Sequence, residues 1–72
     1  MKTVHDVRQL LKKFGTFIYI GDRIADLELM EDEVKELYQN AFISVQDYST
    51  ATLILKKEAR IIQEKKDASN NG

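Results

Sequence analysis

Apolar residues recur along this chain at helical spacing in three separate blocks, and the breaks between the blocks are marked by residues that start or stop helices. In the first block Val4, Val7, Leu10, Leu11 and Phe14 share one face, with His5, Arg8, Gln9, Lys12 and Lys13 on the other. Thr3 followed by Asp6 supplies a helix start, and Gly15 offers a left-handed stop. In the second, Ile24, Leu27, Met30, Val34, Leu37, Tyr38 and Ala41 fall on one arc, opposite Asp22, Asp26, Glu28, Asp32, Glu33 and Glu36. Gly21-Asp22 precedes it, with Asp22 as the expected cap. In the third, Val45, Tyr48, Thr52, Leu55, Ala59 and Ile62 form a narrow seam suited to packing along a neighbouring helix, and Ser44 with Asp47 three residues on marks its start. The turn 40–44 is so short that the second and third blocks, residues 22–66, should close into an antiparallel hairpin.

Two features fall outside that pattern. Thr16-Phe17-Ile18-Tyr19-Ile20 has the composition of a strand, yet nothing else in the chain could pair with it, so an extended connector is expected, with Phe17 and Tyr19 pointing one way and Ile18 and Ile20 the other. The third block also carries a second apolar stripe, Ile54 and Ile61, which should receive the first helix and complete a bundle. Leu53 sits instead among Lys56, Lys57 and Arg60 on the face expected to be wet.

The sequence therefore predicts an all-α fold, a three-helix bundle made of a short first helix and a helical hairpin. It should form one domain over residues 1–66, followed by a flexible polar tail, 67–72. At 72 residues with 43% apolar and 32% charged side chains, the chain is a single small globular unit with little core to spare. It has no cysteine and no proline. Disulfides and zinc–thiolate sites are thereby excluded, and the missing proline suits a helical chain. No stretch approaches the ~20 apolar residues of a membrane span, and the first residues lack the apolar core of a signal peptide, so a cytoplasmic protein without membrane association is expected.

Charge nearly cancels at −1 but is unevenly placed: residues 1–21 carry +3, residues 22–43 carry −5 and the remainder +1. Basic residues near exposed aromatics suit single-stranded nucleic acid, because cations neutralise phosphates while ring faces stack on unpaired bases. Arg8, Lys12, Lys13, Lys56, Lys57 and Arg60 are the candidate cations, and Phe17 and Tyr19 the candidate stacking platforms. The competing expectation is a protein-interaction module: a homodimer through Ile54, Ile61, Leu53 and the 16–20 connector, or an adaptor docking through the acidic helix. Glu28, Asp32 and Glu36 lie at i, i+4, i+8, but no inward histidine or loop completes a cation shell, so they read as a solvated face with no metal. His5 is the only histidine and has no cysteine or serine nucleophile beside it, and Gly15 and Gly21 are not followed by a phosphate-loop Lys-Ser or Lys-Thr. No catalytic residues, cofactor or small-molecule substrate are expected, and a pocket of ~300 Å³ or more should not fit so small a bundle.

The run Phe14-Gly15-Thr16-Phe17-Ile18-Tyr19-Ile20-Gly21-Asp22-Arg23, followed by Leu27-Glu28-Leu29-Met30-Glu31-Asp32-Glu33 and Glu36-Leu37-Tyr38, resembles the YqgQ-like family of small uncharacterised bacterial proteins. The similarity extends to about Lys66. It implies a cytoplasmic three-helix fold without an established activity, for which single-stranded DNA or RNA binding has been entertained. The hairpin is also loosely similar to a short two-helix domain common at the ends of bacterial proteins. There a glycine-isoleucine-threonine turn joins the helices, where this chain has Ala41-Phe42-Ile43-Ser44.

Overall fold

A computed structural model describes residues 1–70. It contains three helices, α1 (Val4–Lys13), α2 (Arg23–Gln39) and α3 (Val45–Asn70), and no strand among the described residues. Each starts where a side chain replaces the missing intrahelical acceptor. The Thr3 hydroxyl accepts from the Asp6 N–H while the Asp6 carboxylate accepts back from the Thr3 N–H, a complete capping box. Asp22 Oδ1 accepts from the Ala25 N–H, and Ser44 Oγ accepts from the Asp47 N–H.

Both α1 and α2 end in the same device. The N–H of Thr16 donates to the Leu11 carbonyl and that of Gly15 to Lys12; likewise Phe42 donates to Leu37 and Ala41 to Tyr38. These are the paired bonds of a Schellman motif, which requires a left-handed residue at its hinge. Gly15 adopts φ +84° without strain, whereas Ala41 holds φ +62° with a Cβ that disfavours it.

The core consists of Val7, Leu11, Leu27, Met30, Val34, Ile43, Ala51 and Leu55. Most of the helix–helix packing is between α2 and α3, with α1 laid against both. The predicted seam on α3 is corrected at its N-terminal end. Val45 is exposed, Thr52 is only half-buried, and Ala51 is fully buried in their place. The reason lies in the turn: Ile43 folds inward and fills the end of the core that Val45 would have reached, while a small Ala51 lets the helices approach closely. Tyr38 and Tyr48 stack across the hairpin with ring centroids 4.6 Å apart and planes 3° from parallel.

The two ends of the bundle fix the direction of α1. Its first residues, Val4 and His5, line one recess with Arg23 at the start of α2 and Ile61 late in α3. Its cap residue Phe14 meets Phe42, beyond the end of α2, at 5.8 Å between ring centroids. Hence α1 and α2 run parallel and α3 antiparallel to both. The chain leaving α1 must travel back along its full length before α2 can begin. Ten helical residues rise about 15 Å, a distance that about five residues cover only if they are extended. That requirement explains the conformation of residues 16–20. The helical backbone of α3 continues through Asp67 to Asn70, beyond Lys66 where a tail was expected to begin; Asn71 and Gly72 lie outside the described residues.

Replacing Ala41 with Gly should relieve the left-handed strain at a net gain of roughly 0.5–1 kcal/mol, after allowing for the larger entropy of an unfolded glycine. Urea unfolding followed by circular dichroism would register this as a higher midpoint at unchanged m-value. An unchanged or lower midpoint would contradict the strain at Ala41.

Candidate nucleic-acid interface

Exposure alternates along the connector as it does in an extended chain: Ile18 packs against the core while its neighbours Phe17 and Tyr19 stand 80% and 74% exposed. Ile20, expected on the same side as Ile18, is 60% exposed. One edge of the connector is tied down by side chains. Arg8 Nη1 donates to the Ile18 carbonyl at 2.9 Å, and the Ile20 N–H donates to Asp26 Oδ1 at 2.9 Å. Asp26 had been expected on the outer acidic face of α2, but it is 4% exposed. Its carboxylate supplies a buried acceptor for a backbone donor that no strand partner satisfies. The sequence could not show this, because periodicity assigns a face and not the neighbour that covers it.

The predicted cations do not form a single patch. Arg8 is half-buried by its bond to Ile18; it lines one shallow recess with Phe17, Ile18 and Thr16 and another with Tyr19, Gly21, Arg23 and Asp26. Arg23 belongs to that second recess and also to an open groove of about 490 Å³ lined by Lys2, Thr3, Val4, His5, Ile54, Lys57, Glu58 and Ile61. A continuous path therefore runs from Lys57 past Lys2, His5 and Arg23 to Arg8, Tyr19 and Phe17. Lys2, His5 and Arg23 were absent from the predicted set because they belong to different segments that meet only where the two parallel helices begin. The groove exceeds the volume expected of so small a bundle, though it is open to solvent.

Lys56 falls elsewhere. It lies 3.6 Å from Glu31 and lines a recess with Asp32, Lys35, Tyr48 and Thr52, on the acidic side of α2. Lys12, Lys13 and Arg60 are exposed and form none of these recesses. Arg23 pairs with Glu58 at 3.2 Å, leaving the Arg23 side chain largely solvated; an ion pair so exposed contributes little to stability. The predicted partner stripe divides as well. Ile54 packs against the core and Ile61 is half-buried in the groove, whereas Leu53 stands 69% exposed. Among the described residues no three His, Asp or Glu side chains are grouped to hold a metal ion, and no helix is long and apolar enough to cross a membrane.

The titration of Asp6 is displaced. Its carboxyl lies below the usual value of 3.8, chiefly because its charged form accepts the backbone N–H of Lys2 at 2.8 Å and next that of Thr3 at 3.1 Å. Those bonds also position Lys2 at the mouth of the groove.

A family model described as YqgQ-like matches residues 1–61. The curated Uncharacterized protein YqgQ of Bacillus subtilis (strain 168) is 48% identical over 58 residues, which is 81% of this chain and 82% of that protein.

Two measurements check the construction of this surface. Asp26→Ala strands the Ile20 N–H and should cost about 1–3 kcal/mol, with faster hydrogen exchange at Ile20; retained protection there would show that Asp26 does not tether the connector. The depressed pKa of Asp6 means that its contribution is present above 3.8 and is lost as pH falls through the lower folded value. An NMR titration should therefore show the Lys2 and Thr3 amides following a midpoint below 3.8. A midpoint at or above 3.8 would contradict the assigned hydrogen bonds.

Proposed function

The chain belongs to the YqgQ-like family, and from the surface its fold exposes we propose that it is a non-enzymatic, cytoplasmic binder of single-stranded DNA or RNA. The observation that carries this reading is the exposure of Phe17 and Tyr19 at one end of a path of cations drawn from all three helices and the N-terminal arm. An unpaired base offers a π-face on which a solvent-facing ring stacks, and its phosphates are met by Lys2, Arg23 and Lys57. Duplex DNA would suit the surface poorly, because its bases are already stacked and the acidic face of α2 repels a second strand. Single-stranded binding also suits a net charge of −1, since contact is confined to one side of the molecule.

The strand should lie along Arg8 and Arg23, over the connector and toward the groove where Lys57 closes the path. Lys12 and Lys13, at the far end of α1, would extend the track for a longer oligonucleotide. Lys56 lies beside Glu31 and Asp32 on the acidic side, away from this path, and takes no part.

Fluorescence anisotropy with a labelled single-stranded oligonucleotide tests this reading. Affinity should fall steeply as salt rises, because each neutralised phosphate releases counterions. Phe17→Ala and Tyr19→Ala should each weaken binding by about 1–3 kcal/mol per lost base stack. Lys57→Glu should lower both the affinity and the salt slope, and Lys56→Glu should leave both nearly unchanged. Binding that is absent, or equally insensitive to all four substitutions, would remove the proposal.

A further inference from the structure

The connector has two backbone edges, and only one of them is occupied. The Ile18 carbonyl and the Ile20 N–H point toward α1 and α2 and are held by Arg8 and Asp26. In an extended chain the N–H and C=O groups of the intervening residues point the opposite way, and those of Phe17 and Tyr19 have no hydrogen-bond partner among the described residues. The result is a short edge strand, rich in aromatic and β-branched residues, with no lysine or proline to guard it.

We propose that this edge pairs with the same edge of a second copy of the chain, forming a two-stranded antiparallel ribbon with its two-fold axis at Ile18. Three observations favour a second copy as the occupant. In this register Phe17 of one copy lies opposite Tyr19 of the other, so each of the two equivalent pairs exchanges both backbone hydrogen bonds and all four free groups of each edge are satisfied. The two residues that turn the chain out of its extended course, Gly15 at φ +84° and Gly21 at φ +90°, are equidistant from Ile18. The turning points of the two copies therefore coincide, and the strands pair along their whole length. Charge is compatible as well. Residues 14–21 carry none, and just beyond them exposed Asp22 of one copy comes alongside exposed Lys13 of the other.

The same register sets Phe17 and Tyr19 of both copies on one face as two cross-strand aromatic pairs. A five-residue ribbon buries much less than the roughly 800 Å² per partner of a standard stable interface. The association is therefore a weak one that depends on concentration. It requires no nucleic acid, so it stands or falls separately from the binding proposed above.

The test is run on the full chain without nucleic acid. Sedimentation equilibrium should show a mass rising from 8.3 kDa toward twice that value as concentration increases. Over the same range the amides of Phe17 and Tyr19 should exchange progressively more slowly, while that of Ile20, bonded within the chain, should not change. Tyr19→Pro removes a donor that has no acceptor in its own chain, so it should abolish self-association with the circular dichroism spectrum preserved. Tyr19→Ala, which keeps the donor, should retain part of it. A mass that stays at the monomer value to millimolar concentration, or a dimer in which the exchange of Phe17 and Tyr19 is independent of concentration, overturns the proposal. The exchange measurement decides the matter if Tyr19→Pro fails to fold. A monomer would also leave the edge to an extended segment of some other protein, and would equally exclude the two-fold ribbon.

Discussion

The parallel course of α1 and α2 is the constraint on which the surface chemistry of this protein depends. Successive helices joined by a tight turn lie antiparallel, as α2 and α3 do. Parallel neighbours oblige the chain to return along the full length of the first helix, and five residues do so only when fully drawn out. An extended segment outside a sheet leaves its amide and carbonyl groups without ladder partners. Two side chains meet part of that need: the Arg8 guanidinium from α1 and the buried Asp26 carboxylate from α2. The groups left over, and the aromatic rings that the pleat turns outward, are the most distinctive surface the molecule has.

The rest of the fold supplies the rigidity that such a segment needs. Leu27, Met30 and Val34 on α2 are buried with Ala51 and Leu55 on α3, and each large aliphatic side chain removed from water contributes on the order of 1.5–3 kcal/mol. Val7 and Leu11 add α1 to that core, and the Phe14–Phe42 contact pins its far end. Asp26 is placed by the same packing. A carboxylate in the first turn of a helix is ordinary surface unless another segment crosses it, and here the connector does. The segregation of charge has a similar origin. Glu31 and Asp32 of α2 lie beside Lys56 of α3, while Lys2, Arg8, Arg23 and Lys57 line linked recesses around the start of α1 and α2.

How far the sequence is readable can be judged residue by residue. The capping signals of Thr3, Asp22 and Ser44, the left-handed stop at Gly15 and the buried positions Val7, Leu11, Leu27, Met30, Val34 and Leu55 were legible, since each depends only on neighbours within a few positions. Membership of the YqgQ-like family was legible too, from the run 14–23 and the motifs of α2. The candidate site was legible in part. Phe17 and Tyr19 were rightly expected to share a face, whereas Lys56 was grouped with Lys57 although about 100° of helix rotation carries it to the acidic side.

Local sequence thus determined where the helices begin, where α1 and α2 end, and that residues 16–20 would be extended, because those properties follow from backbone hydrogen bonding and side-chain spacing over a single turn. Tertiary structure alone decided that α1 runs parallel to α2, that Asp26 is buried beneath the connector, that Ile43 replaces Val45 in the core, and that Lys2, His5, Arg23 and Lys57 meet around one groove. Each of these depends on contacts between residues far apart in the chain, and no periodicity within a helix encodes which neighbour will cover its polar face.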